Sequence, residues 1–145
     1  MSKKQWGHGF YAGYKKAKIE ECDKDEKNGV ELNESGELIC ANRYCKSPYL
    51  HHFLVETFDR DKEDSCKGTK VTIDEGLVNI INSSDAMIGN PSARRDGVRI
   101  FFWCEHCRAI SVLELAQHKG SSLLELKVAD GSVDINDYLW SQLDE

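Results

Sequence analysis

The 145-residue sequence predicts an α+β fold in which strands predominate, with one helix at each end. Three observations carry this expectation. Beyond Gly29 the apolar residues alternate with the two-residue period of strands. Before it, Trp6, Phe10, Tyr14 and Ala17 recur at the three- and four-residue spacing of a helix. Near the end, Asp134 is a good N-cap for a stripe of Ile135, Tyr138, Leu139 and Leu143. A chain of 16.4 kDa with 40% hydrophobic residues and two prolines suits one compact domain with an arm. Residues 1–29 are read as the N-terminal helical arm and residues 30–145 as the domain with its C-terminal helix.

The elements follow in order. The first helix runs from Lys3 to about Lys27 and stops at Asn28-Gly29. Gly7, Gly9 and Gly13 each cost it about 1 kcal/mol relative to Ala, so it needs packing to persist. Glu37 to Cys40 is a short strand entering a turn. Tyr49 to Phe58 is a second strand, with Phe53, Val55 and Thr57 on one face and Leu54 and Phe58 on the other. Thr69 to Ile73 and Leu77 to Ile81 flank a hairpin turn at Asp74-Glu75-Gly76. Asn82 to Gly97 is a long polar loop, of the kind that is often functional. Val98 to Cys104, Ala109 to Ala116 and Ser122 to Val128 complete the strands, the last two separated by a turn at Lys119-Gly120.

Charge narrows the function classes. The net charge is −6, from 25 acids and 19 bases. Residues 1–18 carry five lysines and no acid, whereas residues 19–38 carry eight acids. Arg94, Arg95, Arg99 and Arg108 gather in the second half. A non-specific duplex binder neutralises phosphates with Lys and Arg, so the overall balance argues against a general DNA coat protein. No apolar run approaches the roughly 20 residues of a membrane span. The opening MSKKQWGHGF lacks the apolar stretch of a signal peptide and points to the cytoplasm.

In that reducing compartment six cysteines read as metal ligands before disulfides. Two close pairs stand out, Cys40-Ala-Asn-Arg-Tyr-Cys45 and Cys104-Glu-His-Cys107. Two to four intervening residues let both sulfurs of a turn face one ion, and two such turns fill a zinc tetrahedron. Cys40, Cys45, Cys104 and Cys107 are therefore the expected ligands of one structural zinc, and the domain reads as a β-rich zinc ribbon. Packing alone as buried thiols is the competing reading, but it explains neither the pairing nor the position of each pair at a turn. Cys22 and Cys66 read as free thiols, with Cys66 an alternative ligand; His51 or His106 is an alternative imidazole donor, and iron an alternative ion.

The runs Cys45-Lys-Ser-Pro-Tyr-Leu-His51-His52, Asn90-Pro-Ser-Ala-Arg94-Arg95-Asp-Gly97, Phe102-Trp103-Cys104-Glu-His-Cys107 and Gln117-His118-Lys119-Gly120 resemble a group of small zinc-ribbon-like proteins of bacteria and their phages. The resemblance covers about residues 38–128, outside the arm and the last helix. It implies zinc, a β-rich ribbon and a bacterial host cytoplasm, and it implies no activity. The first knuckle departs from the CPxC-type pair of that group by two extra residues between Cys40 and Cys45.

The remaining polar residues suit an anion. His51, His52, Arg94, Arg95, His118 and Lys119 are donors with no carboxylate among them. Adjacent histidines in a strand point to opposite faces, so one packs internally while the other faces outward. The bland alternatives are ion pairs between the arginines and the many acids, and simple turn chemistry at His118-Lys119. No nucleotide-binding or hydrolase motif is present, so a non-enzymatic role is expected. The expectation is a structural-zinc protein that acts as a protein-interaction module, in a phage or prophage accessory or counter-defence setting. The alternative is a nucleic-acid or nucleotide binder that holds phosphate with the Arg94/Arg95 loop and the histidines.

Overall fold

The computed structural model describes residues 29–129. They form six strands: β1 (Leu50–Arg60), β2 (Gly68–Asp74), β3 (Leu77–Ser83), β4 (Gly97–Cys104), β5 (Ile110–His118) and β6 (Ser121–Val128). All lie in one sheet of order β3-β2-β1-β4-β5-β6, with every neighbouring pair antiparallel. Two three-stranded meanders thus join side by side through β1 and β4.

This corrects the expected α+β class. Among the described residues there is no helix, and the architecture is all antiparallel β. The helical weight of the expectation rested on the segments 3–27 and 134–143, both of which lie outside the described residues, as does Cys22. Between them the regular elements all have the two-residue period of strands. The short strand expected at Glu37 to Cys40 is reduced to one bridge, Leu32 to Leu38.

Two tight turns set the hairpin registers. Glu75 and Gly76 (φ 51° and 94°) join β2 to β3, and Lys119 and Gly120 (φ 48° and 84°) join β5 to β6. Positive φ at both central residues matches the right-handed twist of the flanking strands, which is why glycine occupies the second position of each.

The connection from β3 to β4 must travel from the sheet edge back to its centre. It does so across one face. A Cβ at Gly68 would lie 2.8 Å from Met87 Cε, and one at Gly89 would lie 2.8 Å from Arg99 Nη2. Under that crossing lie Phe58 and Arg99, and further along the same face Leu54, Phe101 and Val112 are buried. Ion pairs complete this face. Arg99 holds Glu56 at 2.7 Å, Lys70 holds the other oxygen of Glu56 at 3.3 Å, and Lys127 holds Glu114 at 3.0 Å.

The opposite face is apolar, half-buried at the centre of the sheet and exposed towards its edges. Register places Val55, Ile73 and Val78 in one row and Thr57, Val71 and Ile80 in the next. Val98, Ile100, Leu113, Leu115 and Leu124 continue the rows over β4, β5 and β6. Ile73, Val78, Ile80 and Leu124 are 46%, 65%, 63% and 51% exposed.

One side-chain assignment also changes. The β1–β4 register shifts between His52 and Leu54, so Phe53 is the extra residue of a β-bulge. Phe53 consequently joins Leu54 in one buried cluster with Phe101 and Trp103, instead of facing away from it. Among the described residues no helix is long and apolar enough to cross a membrane.

Candidate metal centre

The centre lies at the end of the sheet where β4 stops. Cys104 is the last residue of β4, and the chain turns through Glu105, His106 and Cys107 before β5 begins at Ile110. Cys104 N–H donates to Ala109 O (3.0 Å), Arg108 N–H to Cys104 O (2.9 Å), and Cys107 N–H to Cys104 Sγ (3.4 Å). Arg108, directly after the second cysteine, has φ 71°.

The first pair repeats this plan with a longer turn. Cys40 N–H donates to Ser47 O (2.8 Å), and Lys46, directly after Cys45, has φ 55°. Ser47 and Ala109 therefore hold equivalent places two residues beyond the second cysteine of each pair. The two extra residues are absorbed by Asn42: its carbonyl accepts from Cys45 N–H (2.9 Å) and its Oδ1 from Tyr44 N–H (3.0 Å). That Asx turn gives the longer knuckle a defined path.

The two turns bring four sulfurs together. The Sγ atoms of Cys40, Cys45, Cys104 and Cys107 all lie within 4.8 Å of one another, a set that could hold a metal ion. Cys40 and Cys107 sulfurs are 3.6 Å apart, and Cys45 and Cys104 sulfurs 3.7 Å. A tetrahedron with metal–sulfur bonds of about 2.3 Å has sulfur–sulfur edges of about 3.8 Å. A disulfide, by contrast, needs about 2.05 Å. The donor set fits a tetrathiolate site.

Burial and mutual contact act on the thiols. Cys40 is pushed well above the ordinary thiol range by its hydrogen bonds to Cys104 and Cys107 and by burial. Burial pushes Cys45 up. Contact with Cys104 raises Cys107 to about 12, while hydrogen bonds from Cys107 and Cys40 hold Cys104 far below the usual value. One sulfur thus carries the negative charge that the others solvate, and only a cation lets all four carry it.

Two neighbours that the sequence reading passed over brace the cluster. Asn42 is buried and directs Nδ2 at Cys107 Sγ (3.7 Å). Ser111 on β5 is buried and accepts Ala41 N–H at Oγ (3.0 Å), tying the first knuckle to the sheet. An asparagine two residues after a cysteine, inside a turn too long for a simple knuckle, is the signal that marks Asn42.

The polar candidates divide between the two ends of the sheet. His51 pairs with Trp103 and His52 with Phe102 in the β1–β4 register, which puts them at the metal end on opposite faces. His51 stacks on Trp103 with ring centroids 4.4 Å apart and bonds Glu105 Oε2 through Nε2 at 2.7 Å. His118 and Lys119 lie at the β5–β6 turn, the other end of the sheet. Arg94 and Arg95 precede β4 at that same far end. Arg94 is held by Glu63 and by Asp64 (2.9 Å), and Arg95 lies 3.4 Å from Glu63. The Arg94 hydrogen bonds keep Asp64 below the usual carboxylate range, and Asp64 in turn raises Arg94. Cys66 is exposed and free, outside the four-sulfur cluster.

Comparison with protein-family models, with curated proteins and with solved structures finds no match. The centre's own geometry carries the functional reading.

Proposed function

We propose that Cys40, Cys45, Cys104 and Cys107 hold one structural Zn²⁺ and that the zinc-locked sheet serves as a protein-interaction module. The observation that carries this reading is the meeting of four thiols, from two turns of matching design, at the separations of a tetrahedron. Four protein sulfurs leave no coordination position for water or substrate, so the ion's work is architectural. It ties Cys40 and Cys45, which precede β1, to the β4–β5 turn and so holds the metal end of both meanders together. The exposed apolar residues of the sheet face, Ile73, Val78, Ile80 and Leu124, then provide a surface for a protein partner. A bacterial or phage accessory role, in the host cytoplasm, is the setting the sequence resemblance favours.

Elemental analysis of the purified chain tests the metal and is expected to give one zinc per chain. Affinity capture tests the surface. Ile73→Asp with Leu124→Asp is expected to abolish capture of a partner while Arg94→Ala with Arg95→Ala leaves it unchanged. The reverse pattern would move the binding site to the arginine loop.

A further inference from the structure

The two edges of the sheet differ in how they are protected. Edge strands present unpaired N–H and C=O groups, and natural proteins guard them with charge, proline or shortness. The β6 edge carries Glu125 and Lys127. The β3 edge, Leu77-Val78-Asn79-Ile80-Ile81-Asn82-Ser83, has seven residues with neither charge nor proline, in a chain that is 30% charged. Among the described residues it pairs with β2 alone.

Its backbone has a defined outward set. A two-residue turn closes on a hydrogen-bonded pair, here Asp74 and Leu77, and such pairs alternate along the ladder. Leu77, Asn79 and Ile81 therefore direct their amides and carbonyls to β2. Val78, Ile80 and Asn82 direct theirs away from the sheet.

The side chains of this strand are self-complementary. Leu77-Val78-Asn79-Ile80-Ile81 reads the same in kind from either direction about Asn79. In an antiparallel pair centred on that residue, Val78 meets Ile80 of the second copy, Leu77 meets Ile81, and Asn79 meets Asn79. Every cross-strand pair is then apolar with apolar or amide with amide, the matching that stabilises sheets. Moving the centre to Ile80 sets Val78 against Asn82, Asn79 against Ile81 and Leu77 against Ser83. The first register also places the outward groups of Val78 and Ile80 opposite each other, for about four backbone hydrogen bonds.

We propose that β3 pairs antiparallel with β3 of a second copy about Asn79, joining two six-stranded sheets into one. The two-fold axis stands perpendicular to the sheet, so the open apolar faces of both copies lie on the same side and merge into one platform. Val78 and Ile80, 65% and 63% exposed in the single chain, become its centre. This goes beyond the proposed function and does not depend on what the sulfur cluster binds.

Sedimentation and light scattering of the full-length chain test the pairing. The expected mass is twice 16.4 kDa at high concentration, falling to the single-chain value on dilution. Ile80→Lys and, separately, Ile80→Pro are expected to give the single-chain mass, since the first puts a charge at the seam of the merged apolar face and the second removes an amide that faces away from β2. An unchanged thermal unfolding transition for Ile80→Lys in dilute solution, where the parent is also a single chain, shows that the fold survives. Asn79→Cys reads the register. In a background of Cys22→Ser with Cys66→Ser, oxidation is expected to link it as a covalent dimer, whereas Ile81→Cys and the unsubstituted background stay unlinked under the same conditions. A single-chain mass up to about 1 mM, where even weak association registers, would overturn the proposal in favour of a strand from another protein at this edge. A dimer that persists in Ile80→Lys, or one that links through Ile81→Cys in preference to Asn79→Cys, would overturn it too.

Discussion

At the scale of single residues the chain's chemistry concentrates on four thiols and the groups that aim them. Removing any one sulfur leaves three, and the edge distances of 3.6 and 3.7 Å span the two knuckles, so neither pair can close the site alone. Cys104→Ser is expected to reduce bound zinc from one per chain to none after dialysis, measured by elemental analysis. Asn42 acts less directly, through its amide at Cys107 Sγ. Outer partners of metal ligands are typically worth about 10- to 100-fold in affinity, and Asn42→Ala is expected to weaken zinc binding by that order in competition with a chelator. Proton release follows from the thiol shifts. Cys40, Cys45 and Cys107 are raised and Cys104 is lowered, so near neutral pH the metal-free cluster carries one thiolate. Binding then expels about three protons, and affinity falls as pH falls because protons compete for the same sulfurs. Calorimetry in buffers of different ionisation enthalpy is expected to count about three protons per zinc; a count near zero would contradict the shifts. The four-cysteine cluster was legible in the sequence because spacing constrains two sulfurs of one turn. The carboxylates beside the anion candidates were not, because residue type does not reveal partners: Glu63 and Asp64 hold Arg94, and Glu105 holds His51.

At the scale of elements, strands were legible because alternation and turn chemistry are local. Each expected strand from Tyr49 to Val128 has its counterpart, and the turns at Glu75-Gly76 and Lys119-Gly120 fall where glycine follows a polar residue. The bulge at Phe53 was not legible, since it arises from pairing β1 with β4, some fifty residues distant, and a one-residue shift reverses which face a side chain takes. Nor did the pattern reveal the charges inside the sheet. Glu56, Arg99 and Lys70 meet across β1, β4 and β2 on the covered face, with Glu56 6% and Arg99 8% exposed. Removing one member of a buried pair leaves the other uncompensated, typically at about 3–5 kcal/mol. Glu56→Gln is expected to lower the thermal midpoint by about 10 °C or more without changing zinc content. Loss of zinc in that variant would mean that the sheet centre and the metal end are coupled more tightly than the distance between them implies.

At the scale of the whole molecule, the described residues form a sheet with the loop between β3 and β4 across part of one face, exposed apolar residues on the other, and the sulfur cluster at one end. The expected class failed at this scale because it weighed segments outside residues 29–129 together with those inside, and every regular element of the described part is a strand. Long-range order depends on the tie. Cys40 and Cys45 lie in a segment with only one β-bridge of its own, anchored by Ala41 N–H on Ser111 and by the cluster. Chelation is therefore expected to release residues 30–48 to rapid amide hydrogen exchange while β1, β4 and β5 keep most of their protection. Uniform loss of protection would instead make the ion a requirement for the entire sheet. X-ray absorption at the zinc edge of the purified protein tests the central claim most directly. Four sulfurs at about 2.3 Å in the first shell is the expected result. A folded chain without metal, or a shell containing oxygen or nitrogen in place of any sulfur, would contradict it.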